Sequence, residues 1–179
     1  MTTEIRTEFL TAEAFAPFGD VLRATGRPDR LINAGLCGRY HDLARLDFGD
    51  GRAGVSLFDA EPRTLPYDFA LLERHPEGSQ CFIPMHRAEW LIIVAPDADG
   101  MPDAPRAFLA GPGQAVNLHR GTWHGVLTPL HAPGLFAVID RIGPGSNLEE
   151  HHLGAPCRVV RGTSPSTAGR PATIRSKGD

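Results

Sequence analysis

Apolar positions in this chain fall in short runs between turn-forming residues, with no sustained three-to-four spacing of a helical face. The 20 Gly and 16 Pro cut it at intervals typical of an all-β protein. Strands are predicted over Gly54–Phe58, Phe69–His75, Gln80–Pro84, Glu89–Val94, Ala107–Ala110, Ala115–His119, Gly125–Thr128 and Leu135–Arg141. That is about eight, the number a jelly roll needs. One short N-terminal helical segment is predicted where Thr11 can cap Ala12–Ala16 and Pro17 and Gly19 end it. The chain therefore reads as an all-β jelly-roll barrel over residues 1–158. A flexible tail follows over 159–179, too poor in large apolar groups to offset its ordering entropy.

Composition narrows the class. With 179 residues, 41% apolar and 22% charged, the chain suits one domain with one good core, and neither a membrane span nor a disordered chain fits. Net charge is −3 with basic residues spread along the sequence, so no nucleic-acid stripe or membrane-binding face is expected and the partner is a small molecule. The first ten residues carry no apolar stretch with a cleavage site, which predicts a cytoplasmic protein. Cys37, Cys81 and Cys157 are odd in number and far apart, against a disulfide framework or a thiolate zinc site. The one lysine, Lys177, lies in the tail, which argues against Schiff-base chemistry. No nucleophile elbow, phosphate loop or dinucleotide fingerprint is present.

Two segments carry the candidate chemistry, Leu72–Met85 and Asn117–His124. Strand alternation puts Ala115, Asn117 and His119 on one face, and Gly121 allows a turn that brings His124 back, so Asn117, His119 and His124 could converge. The same alternation pairs Glu73 with His75, while Arg74 points away unless a bulge re-aims it; the turn then leads to Gln80. Imidazole, carboxylate and amide oxygen together suit a divalent cation such as nickel, zinc or iron. The same groups without metal suit acid–base work near neutral pH.

The run Gly113-x5-His119-x-Gly121-x2-His124 resembles the second cupin motif, with His119 in the place of a proline and Thr128 at the closing asparagine. Glu73-x-His75-x4-Gln80-x6-Arg87 stands where the first cupin motif would be, with one of its four signature residues kept. A cupin-like double-stranded β-helix follows from the resemblance, with His75, Gln80 and His124 as metal ligands and Glu73 as a further anionic one. More closely, Leu31-Ile-Asn-Ala-Gly35, Arg39-Tyr-His-Asp-Leu43, Leu72-Glu-Arg-His-Pro76, Gln80-x-Phe-Ile-Pro-Met85, Val116-Asn-x-His-Arg120 with Trp123-His124, and Ile139-Asp-Arg141 resemble the ureidoglycolate lyase family. The resemblance implies a homodimer that cleaves ureidoglycolate to glyoxylate and urea in allantoin and purine breakdown, with a divalent metal given as nickel. Ala34, where a second asparagine would be expected, Arg87 and the long tail depart from the pattern.

The residues fit that reaction. Ureidoglycolate is a hemiaminal with a carboxylate, so a lyase must bind the anion, take the 2-hydroxyl proton and assist departure of urea. His119 or His124 is the candidate base, with Glu73 a further catalytic candidate; alternatively a metal held by His75, Gln80 and His124 acidifies the hydroxyl. Arg141 or Arg74 would clamp the carboxylate and Asn117 would hydrogen-bond the ureido group. Against these stand plainer roles: Glu73 in an ion pair with Arg74, Arg141 in a structural salt bridge, and His41, His86, His131, His151 and His152 as structural or surface residues. Another metal-dependent cupin enzyme, an amidohydrolase releasing ammonia, and a non-catalytic small-acid binder are the alternatives.

Overall fold

Residues 90–95 read Trp-Leu-Ile-Ile-Val-Ala without a polar position, and all six are buried. Such an uninterrupted run belongs to a strand covered on both faces, and this one is the wall between two cores. The computed structural model describes residues 2–163. Its strands are β1 (Thr3–Phe9), β2 (Gly19–Leu22), β3 (Arg30–Ile32), β4 (Cys37–Arg39), β5 (Arg52–Asp59), β6 (Tyr67–Arg74), β7 (Gln80–Pro84), β8 (Trp90–Ala95), β9 (Asp97–Ala98), β10 (Met101–Pro102), β11 (Arg106–Ala110), β12 (Ala115–Leu118), β13 (Trp123–His124), β14 (Thr128–Pro129), β15 (Leu135–Ile142) and β16 (Glu149–Val160), with one helix, α1 (Ala12–Phe15). The helix begins as predicted: Thr11 Oγ1 accepts from the Ala14 N–H at 3.1 Å. No described helix is long and apolar enough to cross a membrane.

A seven-stranded sheet runs β11-β1-β16-β6-β13-β8-β14, and an extra β8–β11 pairing closes six of these strands into a ring. A five-stranded sheet, β2-β12-β7-β15-β5, packs against it in the jelly-roll manner the sequence predicted. Strand β8 serves both cores by alternation. Leu91, Ile93 and Ala95 join Leu72, Leu109, Trp123, Val159 and Ile5 inside the ring. Trp90, Ile92 and Val94 join Phe15, Phe82, Phe108, Val116, Phe136 and Val138 between the sheets. Phe15, Phe108 and Phe136 are wholly buried there, each worth about 1.5–3 kcal/mol in removed apolar surface.

Several elements differ from expectation. The predicted strand Gly125–Thr128 is not one strand; β13 and β14 flank residues 125–127. Gly125 is drawn onto β8, with its N–H on the Ile93 carbonyl and a would-be Cβ only 3.1 Å from the Ile93 side chain, so the chain bends there. Strands β1 and β16 are additional; they pair with each other in parallel. Their faces away from the ring are polar, and β16 also carries a register shift between His152 and Cys157, which breaks its alternation. Residues 159–163 pack with the domain: Val159 is fully buried and the Gly162 N–H donates to Thr7 Oγ1 at 2.8 Å. The rest of the expected tail, 164–179, lies outside the described residues.

The β3–β4 hairpin shows what Ala34 costs. Gly35 N–H donates to the Ile32 carbonyl across Asn33 and Ala34, whose φ angles are 52° and 56°. This β-turn, inside the four-residue loop 33–36, holds both of its central residues in the left-handed region, comfortable for Asn or Gly and not for Ala. Ala34→Gly should therefore stabilise the protein by about 0.5–1 kcal/mol. In a thermal melt that is a rise of roughly 1–4 °C; an unchanged or lowered midpoint would contradict it.

Candidate active site

The interior face of the two sheets ends in a polar cluster. On β13, His124 stands directly opposite Glu73 of β6 and Val94 of β8, and Val94 points into the inter-sheet core, so His124 and Glu73 share that inner face. His75 follows Glu73 by two residues, just past the end of β6. Gln80 opens β7 on the same side as core residue Phe82, and Asp140 on β15 shares the face of core residue Val138. Donor atoms of Glu73, His75 and His124 lie within 4.8 Å of one another. The two imidazole rings are 5.3 Å apart, and Phe82 stands edge-on to His124 at 6.4 Å.

Hydrogen bonding leaves this cluster open on its inner side. His75 Nδ1 is 2.6 Å from the Asn147 carbonyl and His124 Nδ1 is 3.0 Å from the Gly125 carbonyl. A carbonyl can only accept, so Nδ1 is the donor in each ring, and in a neutral ring the free lone pair is then on Nε2. Both Nε2 atoms are buried with no partner, as is Gln80 Oε1, whose amide nitrogen donates to Asp140 Oδ2 at 3.4 Å. Two imidazole nitrogens and the Glu73 carboxylate, with the unpartnered Gln80 amide oxygen on the same face, form a donor set suited to a borderline divalent cation. Orphaned buried acceptors are costly unless something binds them, and carbonyls holding the far side of each ring are the usual support of a metal-binding imidazole.

Burial governs the charge states. His124 is pushed down to about 4, chiefly by burial, with the Gly125 carbonyl pulling up and His75 adding to the fall. It is neutral at pH 7. Glu73 is raised, again first by burial, with His75 opposing and Glu150 reinforcing. Its Oε1 lies 3.8 Å from His124 Nδ1.

Four residues expected at the site stand elsewhere. Asn117 and His119 face away from the core that Val116 and Leu118 enter. Asn117 is wholly buried on the other side of β12, its amide donating to Asp20 Oδ2 at 3.0 Å and to the Arg45 carbonyl at 2.9 Å. His119 Nε2 lies 3.1 Å from Asp20 Oδ1, without an aligned hydrogen bond. The predicted convergence of Asn117, His119 and His124 is thus not what the fold makes, because the Gly121 turn carries the chain from one sheet to the other. Arg74, alternating with Glu73, points away from the cluster; it donates to Glu149 at 2.6 Å and Asp97 at 2.7 Å, and its guanidinium lies 4.5 Å over Trp123. Arg141 is buried and paired with Asp50, with Nη1 3.3 Å from the Pro144 carbonyl. Gly51, Gly78 and Gly143 surround it so closely that a Cβ on any of them would stand within 2.8 Å of the arginine side chain.

Asp140 and Asn147 were not singled out by the sequence as site residues. Alternation along Leu135–Arg141 carries a signal for Asp140, since it puts that carboxylate on the face of Phe136 and Val138. Asn147 sits in a Gly-Pro-Gly-Ser-Asn turn and carries no periodic signal.

A family model described as ureidoglycolate lyase matches residues 2–160. The chain is 63% identical over 153 residues to a protein named ureidoglycolate lyase from Rhodobacter capsulatus, covering 85% of this chain and 95% of that one. It is 49% identical over 152 residues to ureidoglycolate lyase 2 of Rhizobium meliloti, covering 84% and 93%. A ureidoglycolate lyase of Burkholderia cepacia is 45% identical over 171 residues, covering 94% and 96%. The match takes in every described strand and the whole cluster of Glu73, His75, Gln80 and His124, and the chain belongs to the ureidoglycolate lyase family.

Proposed function

We propose that this protein is a carbon–nitrogen lyase that cleaves ureidoglycolate to glyoxylate and urea, in the allantoin branch of purine breakdown. The observation that carries the reading is the pair of buried, bare imidazole nitrogens, His75 Nε2 and His124 Nε2, beside Glu73 in a member of this family. Neutral His124 takes the 2-hydroxyl proton as the C–O bond becomes a carbonyl. Glu73, 3.8 Å from its Nδ1, stabilises the imidazolium that forms. The carbon–nitrogen bond breaks and the same proton returns to the ureido nitrogen, so urea leaves neutral and no water is consumed. In the alternative form of the site, His75 Nε2, Gln80 Oε1 and His124 Nε2 would hold a divalent cation, nickel by family resemblance, which when bound would acidify a hydroxyl in contact with it; His124 would then serve as a ligand and not as the base. Arg74, Asn117 and Arg141 are assigned to the scaffold, because the Arg74 guanidinium, the Asn117 amide nitrogen and both Arg141 Nη atoms already donate to protein partners and none of the three joins the inner cluster, although Asn117 Oδ1 and Arg141 Nε have no partner among the described residues.

A homodimer fits the outer face of the five-stranded sheet. Val55 and Leu57 are 73% and 65% exposed on β5. They stand opposite Ile139 and Ala137 of β15, which pairs on with Ile83 of β7. An apolar strip of this kind is covered in stable proteins. The three free thiols fit a reducing cytoplasm.

Purified protein, with and without prior chelation, should convert racemic ureidoglycolate to equal amounts of glyoxylate and urea with no ammonia. Ammonia release would make it an amidohydrolase, and absence of turnover under both conditions would make it a binder. Activity lost on chelation and restored by one metal is the outcome expected if the buried donors hold a cation.

A further inference from the structure

We propose that Asn147, in the loop between β15 and β16, is a positioning residue for His75: its side chain clips the β6–β7 turn so that its own main-chain carbonyl holds the His75 ring. The inference rests on the lyase reading only for its consequence in turnover. Asn147 Oδ1 accepts from the Glu77 N–H at 2.7 Å, and the Asn147 carbonyl accepts from His75 Nδ1 at 2.6 Å. One residue thus grips both the histidine and the backbone two residues beyond it, across a sequence separation of 72 for the imidazole bond. The two imidazoles differ sharply in this respect. His124 is held by the carbonyl of its immediate neighbour Gly125, a contact the local backbone supplies unaided. His75 depends on a loop that includes Gly143 and Gly145, the latter at φ 81°.

The clip can be removed without releasing that loop, because Arg141 separately holds the Pro144 carbonyl. Loss of the Asn147 amide therefore costs the aim of the 147 carbonyl more than the fold. With the carbonyl misaligned, the His75 proton is free to move to Nε2, and the lone pair that faces no protein partner disappears. Supporting contacts of this kind change ligand affinity or activity by roughly 10–100-fold.

The deciding experiment is a long-range proton–nitrogen correlation spectrum of ¹⁵N-histidine-labelled protein at pH 8, without metal or substrate, on the wild type, Asn147→Ala and Asn147→Asp. The wild type should show His75 as the Nδ1–H tautomer. Asn147→Asp, which retains an acceptor for Glu77 N–H, should keep that tautomer, and Asn147→Ala should populate Nε2–H. Turnover of ureidoglycolate by Asn147→Ala should fall about tenfold, with a thermal midpoint within a few degrees of wild type. An unchanged His75 tautomer in Asn147→Ala, or the same tautomer shift in both variants, would overturn the proposal. Because the spectrum needs no turnover, failure of the lyase reading and failure of this inference are read separately.

Discussion

His124→Asn is expected to lower kcat/KM for ureidoglycolate by about 10³-fold while leaving the strand content and thermal melt near wild type, and His119→Asn by less than about tenfold. The sequence offers both histidines as candidates for the base. The fold separates them: His124 faces inward with a bare Nε2 beside Glu73 and His75, and His119 faces outward on Asp20. Burial also keeps His124 neutral across the physiological range, as a proton acceptor must be. Burial that keeps it neutral makes it a weak base, which is why Glu73 at its Nδ1 matters and why Glu73→Gln should also cost activity. Because His75 and His124 act on one centre, the double variant should lose little more than the worse single one. An equal and steep loss in His119→Asn would move the base to the His119–Asp20 pair and leave the inner cluster as a metal site alone.

The fold was legible where one face of a strand is apolar and the other polar, or where both are buried. Tyr67–Arg74, Gln80–Pro84, Trp90–Ala95 and Leu135–Ile142 lie within two residues of their predicted bounds. It was illegible where the strand depends on partners distant in sequence, as for β1, whose outward positions are Glu4, Arg6 and Glu8 and which pairs with β11 and β16, and for β16, which pairs with β1 and β6. Within the site, two-residue alternation along one strand correctly related Glu73 to His75 and set Arg74 opposite them. It failed across the Gly121 turn, since alternation holds along a strand and says nothing about which sheet the next strand joins: β12 belongs to the five-stranded sheet and β13 to the seven-stranded one. Residues that matter through their backbone, Asn147 and Gly125, leave no side-chain pattern to read.

Arg141→Met should lower stability by about 2–4 kcal/mol, the range for losing a buried, well-packed long side chain, and change KM for ureidoglycolate by less than threefold. The sequence allowed either a substrate clamp or a structural ion pair. A clamp needs a guanidinium that is free to meet the incoming carboxylate, and this one is only 2% exposed, with both Nη atoms spent on Asp50 and Pro144 and the side chain enclosed by three glycines. It holds the 47–51, 76–78 and 143–147 segments together, and those segments carry the Glu77 and Asn147 contacts that hold His75. In a chain of this size the loss corresponds to a drop in thermal midpoint of roughly 5–15 °C. A tenfold rise in KM with an unchanged midpoint would restore the clamp. Asp50→Asn separates the roles by sign. Asp50 is itself 76% exposed in its side chain, so neutralising it costs little except by stranding the buried arginine. A strut then loses stability with KM unmoved, whereas a clamp released from a competing carboxylate would bind the substrate anion more tightly and lower KM.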